Sequence, residues 1–168
     1  QRCDKPVVAG INGAAVGAGL SLAMAADIRI VARGARLMAG YTRIGISTDG
    51  GLSWTLSQAI GYEQAMRFML ENRTVQGEEA VRLGMAGEVV DDGQLGDRLA
   101  EYCQQLAQWS PITTRLTKRA IGKATIGIDL EQHLRLELAN IKRAFASEDA
   151  QECRTTFLKK RKPVIKGR

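Results

Sequence analysis

Short apolar runs separated by small residues fill the first third of the chain. Residues 6–11 are almost wholly apolar and predict a buried strand, whereas residues 27–32 alternate polar and apolar side chains as a half-buried strand does. Between them, the glycines and alanines of residues 13–19 predict a tight turn, followed by a helix of small residues over 18–26. Residues 33–51 follow neither period and predict a region rich in loops.

Helical periodicity dominates the rest of the chain. The longest predicted helix, 129–146, carries an apolar stripe formed by Leu130, Leu134, Leu138, Ile141 and Phe145. The other predicted elements are helices over 54–60, 62–70, 77–83 and 95–109, a strand over 85–90, a helix starting at Pro111 with Ser110 as its N-cap, and a last helix capped by Ser147. The pattern predicts an α/β fold. A sheet of two or three strands covers itself poorly, so we expect a sheet-rich N-terminal part outside this sequence.

Charge is concentrated at one end of the chain. The 168 residues carry a net charge of +6, which matches the cations clustered at Lys159, Lys160, Arg161, Lys162, Lys166 and Arg168. A basic tail can bind nucleic acid, anionic lipid or a phosphorylated small molecule, or can simply be a solubilising terminus. The lack of interleaved aromatic residues argues against single-stranded nucleic acid. Three widely spaced cysteines and the lack of a long apolar run predict a cytoplasmic protein without membrane contact, disulfide framework or metal site.

The Gly17-Ala18-Gly19 turn is the first candidate for chemistry. A strand followed by small residues and a helix start leaves backbone N–H groups unpaired in a space that a ligand atom can enter. A dinucleotide fingerprint needs a third glycine where Leu22 stands, and no G-K-[ST] phosphate loop is present. Two interpretations remain open at this point: a site for a carbonyl oxygen that becomes negative, and a glycine turn that packs a helix on a strand.

Five collinear segments together resemble the crotonase (enoyl-CoA hydratase/isomerase) superfamily. They are K-P-V-V-A-G-I-N-G-A-A-V-G-A-G, L-A-M-A-A-D-I, R-I-G-I-S-T-D-G-G, A-V-R-L-G-M-A-G-E-V-V, and the tail F-A-S-E-D with F-L-K-K-R-K-P-V-I-K-G. The chain resembles the C-terminal part of such a protein, and among its branches the ring-type enoyl-CoA isomerases of phenylacetate degradation. The resemblance implies a ββα spiral, incomplete at its N-terminus, over residues 1–110 and a helical trimerisation region over 111–168.

The resemblance also implies an oxyanion hole, the pair of amide donors that stabilises a thioester enolate. Its donor here is the backbone N–H of Ala18, flanked by the substrate-lining Gly17 and Gly19, and the second donor belongs to a segment upstream of this sequence. Hydratases of the family use two glutamates, whose positions fall on Ser21 and Tyr41. Neither replaces a carboxylate base near neutral pH, so hydration by the two-glutamate route is not expected. Both residues are candidates for substrate binding, and packing is their alternative role.

Asp49 is the carboxylate that remains in the catalytic loop of the resemblance. We expect a buried Asp49 to remove a proton from the acyl chain and return it at another carbon, which is enoyl-CoA isomerisation. Alternatively, Asp49 merely starts the Asp-Gly turn or caps the next helix. A hydratase-like activity, an aryl-CoA dehalogenase with Asp49 as its nucleophile, and a non-catalytic CoA-binding or assembly subunit are the other functional hypotheses.

The resemblance assigns the far end of coenzyme A to the C-terminal region. Lys160 is expected near its adenine end and phosphates, with Ile141 as an apolar neighbour. No cofactor is expected other than the coenzyme A of the substrate. The expected partners are an acyl-CoA and further copies of the chain in a homotrimer or hexamer.

Overall fold

The computed structural model describes residues 3–168, which form two compact units: residues 7–102, and residues 3–6 together with 103–168. The predicted α/β class is confirmed, with strands confined to the first unit and helices in both. In chain order the first unit contains β1 (Val8–Ile11), β2 (Ala14–Val16), α1 (Ala18–Met24), β3 (Ile28–Ala32), β4 (Arg36–Met38), a 3-10 helix (Tyr41–Ile44), α2 (Leu52–Ile60), α3 (Tyr62–Leu70), β5 (Thr74–Gln76), α4 (Gly77–Leu83) and β6 (Glu88–Val90). Then come α5 (Leu95–Ala107), within which the division between the units falls, and α6 (Pro111–Ala124), α7 (Leu130–Phe145) and α8 (Glu148–Leu158).

In the part of the chain that the structure describes, six strands form two small sheets instead of the single sheet of two or three strands that the pattern predicted. The first sheet has the order β1-β3-β6 and is parallel throughout. In the second, of order β2-β4-β5, β2 is parallel to β4 and β4 is antiparallel to β5. The predicted turn over 13–19 therefore contains β2, and the predicted loop over 33–51 contains β4. Both are short strands whose ladder partners lie far away in sequence, with Ala15 opposite Leu37, so local periodicity does not reveal them.

The core of the first unit fixes α1 in place. Leu20 and Met24 of α1 are buried with residues from both sheets and from α2 and α3, among them Ile30, Leu37, Leu52, Leu56, Phe68 and Val75. The other face of α1 is left open, since Ala18, Gly19 and Leu22 are exposed. The apolar side chains of this short helix thus bury one of its faces, while its first turn stays accessible.

In the second unit, α7 exposes the face that its sequence marks as apolar. The stripe Leu130, Leu134, Leu138, Ile141 and Phe145 is 53% to 72% exposed. The half-buried face of α7 instead contains His133, Leu136, Asn140 and Ala144, and α7 packs against α6 and α8. Burying apolar side chains is the main gain of packing a helix, so this stripe is a surface that a partner can cover. Among residues 3–168, no helix combines the length and the apolar character needed to cross a bilayer.

The basic tail is bound to the acidic first half of α8. The buried carboxylate of Asp149 accepts hydrogen bonds from the Lys166 amide at 2.7 Å, the Gly167 amide at 3.0 Å and the Ser110 hydroxyl at 3.0 Å. Ser110 was predicted to cap α6, but its side chain makes no cap hydrogen bond because it donates to Asp149. Arg161 pairs with Glu152 at 2.8 Å. The tail is therefore a folded part of the second unit.

Asp149 is ionised well below neutral pH. Burial by itself raises its pKa, but the hydrogen bonds from Lys166, Ser110 and Gly167, together with the charge of Arg168, lower it, and the net shift of the pKa is downward.

Candidate active site

The Ala18 amide at the start of α1 is aimed away from the helix. Gly17 adopts φ 53° and ψ −119°, its amide donates to the Met38 carbonyl at 3.2 Å, and its carbonyl accepts from the Ser21 amide at 2.9 Å. The Gly17 carbonyl and the Ala18 N–H belong to one trans peptide group and point in opposite directions. Because the carbonyl is directed into the helix, the N–H is directed outward. Within residues 3–168 it has no hydrogen-bond acceptor.

Glycine has a different role at each of the two positions beside this amide. Gly17 needs a positive φ that side chains with a Cβ seldom adopt, so its role in the fold is conformational. Gly19 has no such need, and a Cβ built there meets no atom within 4 Å. The glycine at 19 therefore keeps open space beside the Ala18 amide, where a ligand atom can approach.

The loop that carries Asp49 is bounded by left-handed glycines. Gly40 and Gly45 flank the 3-10 helix at φ 77° and 69°, and Gly50 and Gly51 follow Asp49 at φ 57° and 79°. The predicted Asp-Gly-Gly turn opening a helix is confirmed, because α2 begins at Leu52 and the Leu52 amide donates to the Asp49 carbonyl at 3.1 Å. The N-cap of α2 is Gly51, and the hydrogen bond to the Asp49 carboxylate within residues 3–168 comes from Tyr41 and not from the α2 backbone.

Three predicted site residues meet at one point. The Tyr41 hydroxyl donates to Asp49 Oδ1 at 2.7 Å, and Ser21 Oγ lies 3.0 Å from the Tyr41 hydroxyl. Ser21 Oγ is also 3.2 Å from the Asp49 carbonyl and 3.1 Å from the Gly17 carbonyl. Tyr41 and Ser21 are 6% and 3% exposed, so both hydroxyls are turned to protein partners. The substrate-binding role of these two residues stays a prediction.

The expected burial of Asp49 is wrong for this chain. Asp49 is exposed because the segment from Thr42 to Ser47 before it runs along the surface, and Gly50 and Gly51 after it are exposed as well. The carboxylate is nevertheless held, since Oδ1 accepts from Tyr41, while no described residue donates to Oδ2. Next to it, the buried Thr48 hydroxyl has no hydrogen-bond partner within residues 3–168.

Sequence reasoning missed the contact between Tyr41 and Asp49. The one indication in the sequence is indirect: hydroxyl residues stand at both positions where the resemblance implies glutamates. A tyrosine eight residues before an aspartate gives no local indication that their side chains meet, because the intervening 3-10 helix and glycine turns decide their separation.

The residues predicted to bind coenzyme A lie in the second unit. Lys160 follows the end of α8 at φ 50°, is exposed, and has no ion-pair partner among residues 3–168. Ile141 is 54% exposed on the α7 stripe. Their roles stay predictions. In the described part of the chain no group of three or more His, Cys, Asp and Glu side chains is placed to hold a metal ion.

The arrangement offers two complementary groups for acyl chemistry. An unpaired N–H at the positive end of a helix stabilises an oxygen that gains negative charge, and a carboxylate with one free oxygen can accept and return a proton. Ser21 touches the peptide that carries the first group and the residue that carries the second.

Comparison with known proteins identifies the family. Residues 1–168 match the enoyl-CoA hydratase/isomerase family. Over 167 residues, 99% of this chain, it is 35% identical to the 1,2-epoxyphenylacetyl-CoA isomerase of Escherichia coli K12 and covers 63% of that protein. Over 159 residues, 95% of this chain, it is 30% identical to the short-chain-enoyl-CoA hydratase of Clostridium acetobutylicum and covers 60% of it.

A solved structure extends the likeness to the fold. The enoyl-CoA hydratase from Bacillus anthracis superposes with a TM-score of 0.95 at 32% identity, over 99% of this chain and 64% of that one. The chain thus spans less than two thirds of the length of these three proteins. The resemblance to the crotonase superfamily and its ring-type isomerases is confirmed, as is the crotonase-like fold, and the chain belongs to the enoyl-CoA hydratase/isomerase family.

Proposed function

We propose that this chain provides the C-terminal part of an acyl-CoA isomerase that moves a double bond through a thioester enolate. The Ala18 N–H donates to the thioester oxygen, with Gly17 and Gly19 lining the approach. Asp49 removes a proton from the carbon next to the thioester carbonyl of a β,γ-unsaturated acyl-CoA and returns it to the γ-carbon, so that the double bond moves and no atom is gained or lost.

The observation that carries this proposal is the hydrogen bond between Tyr41 and the Asp49 carboxylate. It holds the Asp49 carboxylate in a site that contains hydroxyls at the positions of the two hydratase glutamates. The alternative role of Asp49 as a helix cap is disfavoured, because Gly51 is the N-cap of α2 and the donor to the Asp49 carboxylate within residues 3–168 is Tyr41. A single base suits proton relocation, whereas the resemblance implies two glutamates for hydration.

Isomerisation is tested with a β,γ-unsaturated acyl-CoA in deuterium oxide. We expect the conjugated isomer to form with unchanged composition apart from deuterium at the exchanging carbons, as read by mass spectrometry. A product that has gained one water would mean hydration and would refute the isomerase assignment. Asp49→Asn should lower the rate by about 100-fold or more, the size of a lost general base. Asp97→Asn, on an exposed position of α5, is the matched control and should keep the wild-type rate.

The second unit is proposed to supply binding and assembly. Lys160 would contact a phosphate at the adenine end of coenzyme A, and Ile141 would pack nearby. The exposed stripe on α7 would be covered by further copies of the chain in a trimer or hexamer, since five large apolar side chains in contact with water are costly.

A further inference from the structure

The Asp49 carboxylate sits at the end of a chain of hydrogen bonds that starts at the Gly17–Ala18 peptide. The links are the Gly17 carbonyl to Ser21 Oγ at 3.1 Å, Ser21 Oγ to the Tyr41 hydroxyl at 3.0 Å, and the Tyr41 hydroxyl to Asp49 Oδ1 at 2.7 Å. This series of hydrogen bonds connects the peptide whose amide is proposed to bind the thioester oxygen with the carboxylate that is proposed to move the proton.

The number of available protons determines which group donates in the hydrogen bond between Tyr41 and Asp49. An ionised carboxylate only accepts, so the single Tyr41 proton is used on Asp49. The Tyr41 oxygen can then accept from Ser21, whose one proton has three acceptors in reach: the Tyr41 oxygen and the carbonyls of Gly17 and Asp49. A donor to a charged acceptor makes the stronger type of hydrogen bond, and the short 2.7 Å distance fits it.

Close packing also fixes the position of the loop that carries Asp49 relative to α1. A Cβ added at Gly50 would lie 2.8 Å from the Ser21 Cβ, so the backbone just after Asp49 rests directly on α1. The Tyr41 ring is 6% exposed, whereas Asp49 itself is exposed on the loop. An exposed aspartate is free to rotate unless a rigid neighbour restrains it, and the buried phenol is that neighbour.

We propose that Tyr41 and Ser21 are positioning residues, which fix the Asp49 carboxylate relative to the Ala18 amide so that Oδ2 faces the acyl carbon. This inference rests on the proposed function and deepens it. Tyr41 binds Oδ1 and leaves Oδ2 as the oxygen that takes the proton, while Ser21 joins the base to the peptide carrying the oxyanion donor.

The decisive variant is Tyr41→Phe, which removes only the hydroxyl. We expect kcat for the β,γ-unsaturated acyl-CoA to fall about tenfold, the factor for one hydrogen bond to a charged group, with KM within about twofold of wild type. Tyr62→Phe, at a tyrosine that is 76% exposed, is the matched control and should change neither kcat nor KM.

Ser21→Ala, alone and combined with Tyr41→Phe, tests whether the hydrogen bonds between Gly17 and Asp49 act together. The combined loss should be smaller than the product of the two single losses, because both variants break one continuous path. Thermal unfolding of each variant separates a loss of positioning from a loss of folding.

The outcomes separate this inference from the function on which it rests. If Asp49→Asn is inactive but Tyr41→Phe keeps the wild-type kcat, the positioning role is wrong and the isomerase proposal stands. A raised KM at unchanged kcat would instead place Tyr41 in contact with the substrate and overturn the inference. Retention of most activity by Asp49→Asn would refute the proposed function itself.

Discussion

Replacing Asp149 by alanine should release the C-terminal tail from α8. The carboxylate is 1% exposed and accepts from the amides of Lys166 and Gly167 and from the Ser110 hydroxyl. Through these bonds one side chain connects the end of the chain, the start of α8 and the start of α6. The tail includes Lys160, so its attachment also bears on the proposed coenzyme A contact.

The size of the effect follows from the three donors. The amides of Lys166 and Gly167 belong to exposed residues and can bind water after release, so each bond contributes about 1 kcal/mol net. The Ser110 hydroxyl is buried, and leaving it unpaired costs about 1–3 kcal/mol. Asp149→Ala should therefore lower the free energy of unfolding by about 3–5 kcal/mol. Asp149→Asn keeps one acceptor oxygen and should cost roughly a third of that.

Urea unfolding combined with hydrogen exchange measures both parts of this prediction. In Asp149→Ala the amides of Lys166 and Gly167 should lose their protection, and the unfolding midpoint should fall. Asp97→Ala, an exposed aspartate in the first turn of α5, should change the free energy of unfolding by less than about 1 kcal/mol. A loss below 1 kcal/mol in Asp149→Ala with both tail amides still protected would refute the reasoning.

The pH dependence has a defined sign. Because the pKa of Asp149 is lowered in the folded state, its contribution is present in full above the unfolded pKa of about 3.9 and is lost as pH falls through the lower folded value. The stability difference between wild type and Asp149→Asn should therefore be constant near neutral pH and shrink below about pH 4. A difference that grows with acidification would contradict the assigned direction.

Three further predictions concern binding and assembly. Gly19→Ala should stabilise α1 by roughly 0.5 kcal/mol in thermal unfolding, yet weaken acyl-CoA binding by about tenfold in calorimetry as the methyl group fills the open space; unchanged affinity would show that no ligand approaches there. Lys160→Ala should weaken binding of CoA esters more than of dephospho-CoA esters, with Lys162→Ala as the neighbouring control, and equal weakening of both esters would exclude the phosphate contact. Leu134→Glu combined with Leu138→Glu should lower the assembly mass measured by light scattering, and an unchanged mass would mean that the α7 stripe is not an interface.

Elements with local signals were predictable from the sequence. The limits of α3 and α4 agree with the predicted 62–70 and 77–83, because Gly61 and Gly84 mark ends that neighbouring residues determine. The strands β2, β4 and β5 were not predicted, since each has three residues and is defined by partners elsewhere in the sequence. Short strands of this kind are created by tertiary pairing more than by their own composition.

The candidate site divides in the same way. The helix start at Ala18 and the turn after Asp49 follow from glycine placement, which is a local property. The contact between Tyr41 and Asp49 depends on tertiary approach. Outside this site, the same holds for the bond from Ser110 to Asp149: Ser110 stands at the predicted N-cap of α6, but its hydroxyl makes no cap bond. The apolar stripe lies along α7 as predicted, but the periodicity of a sequence identifies an apolar face and does not identify what covers that face.

The glycines at 40 and 51 have a consequence for how this family can change. Both adopt the left-handed conformation, at the two ends of the segment that carries Tyr41 and Asp49 between β4 and α2. Residues from Thr42 to Ser47 are exposed. Such a segment can exchange its reactive groups during evolution while the scaffold persists, and one framework can thereby acquire new reactions through few substitutions.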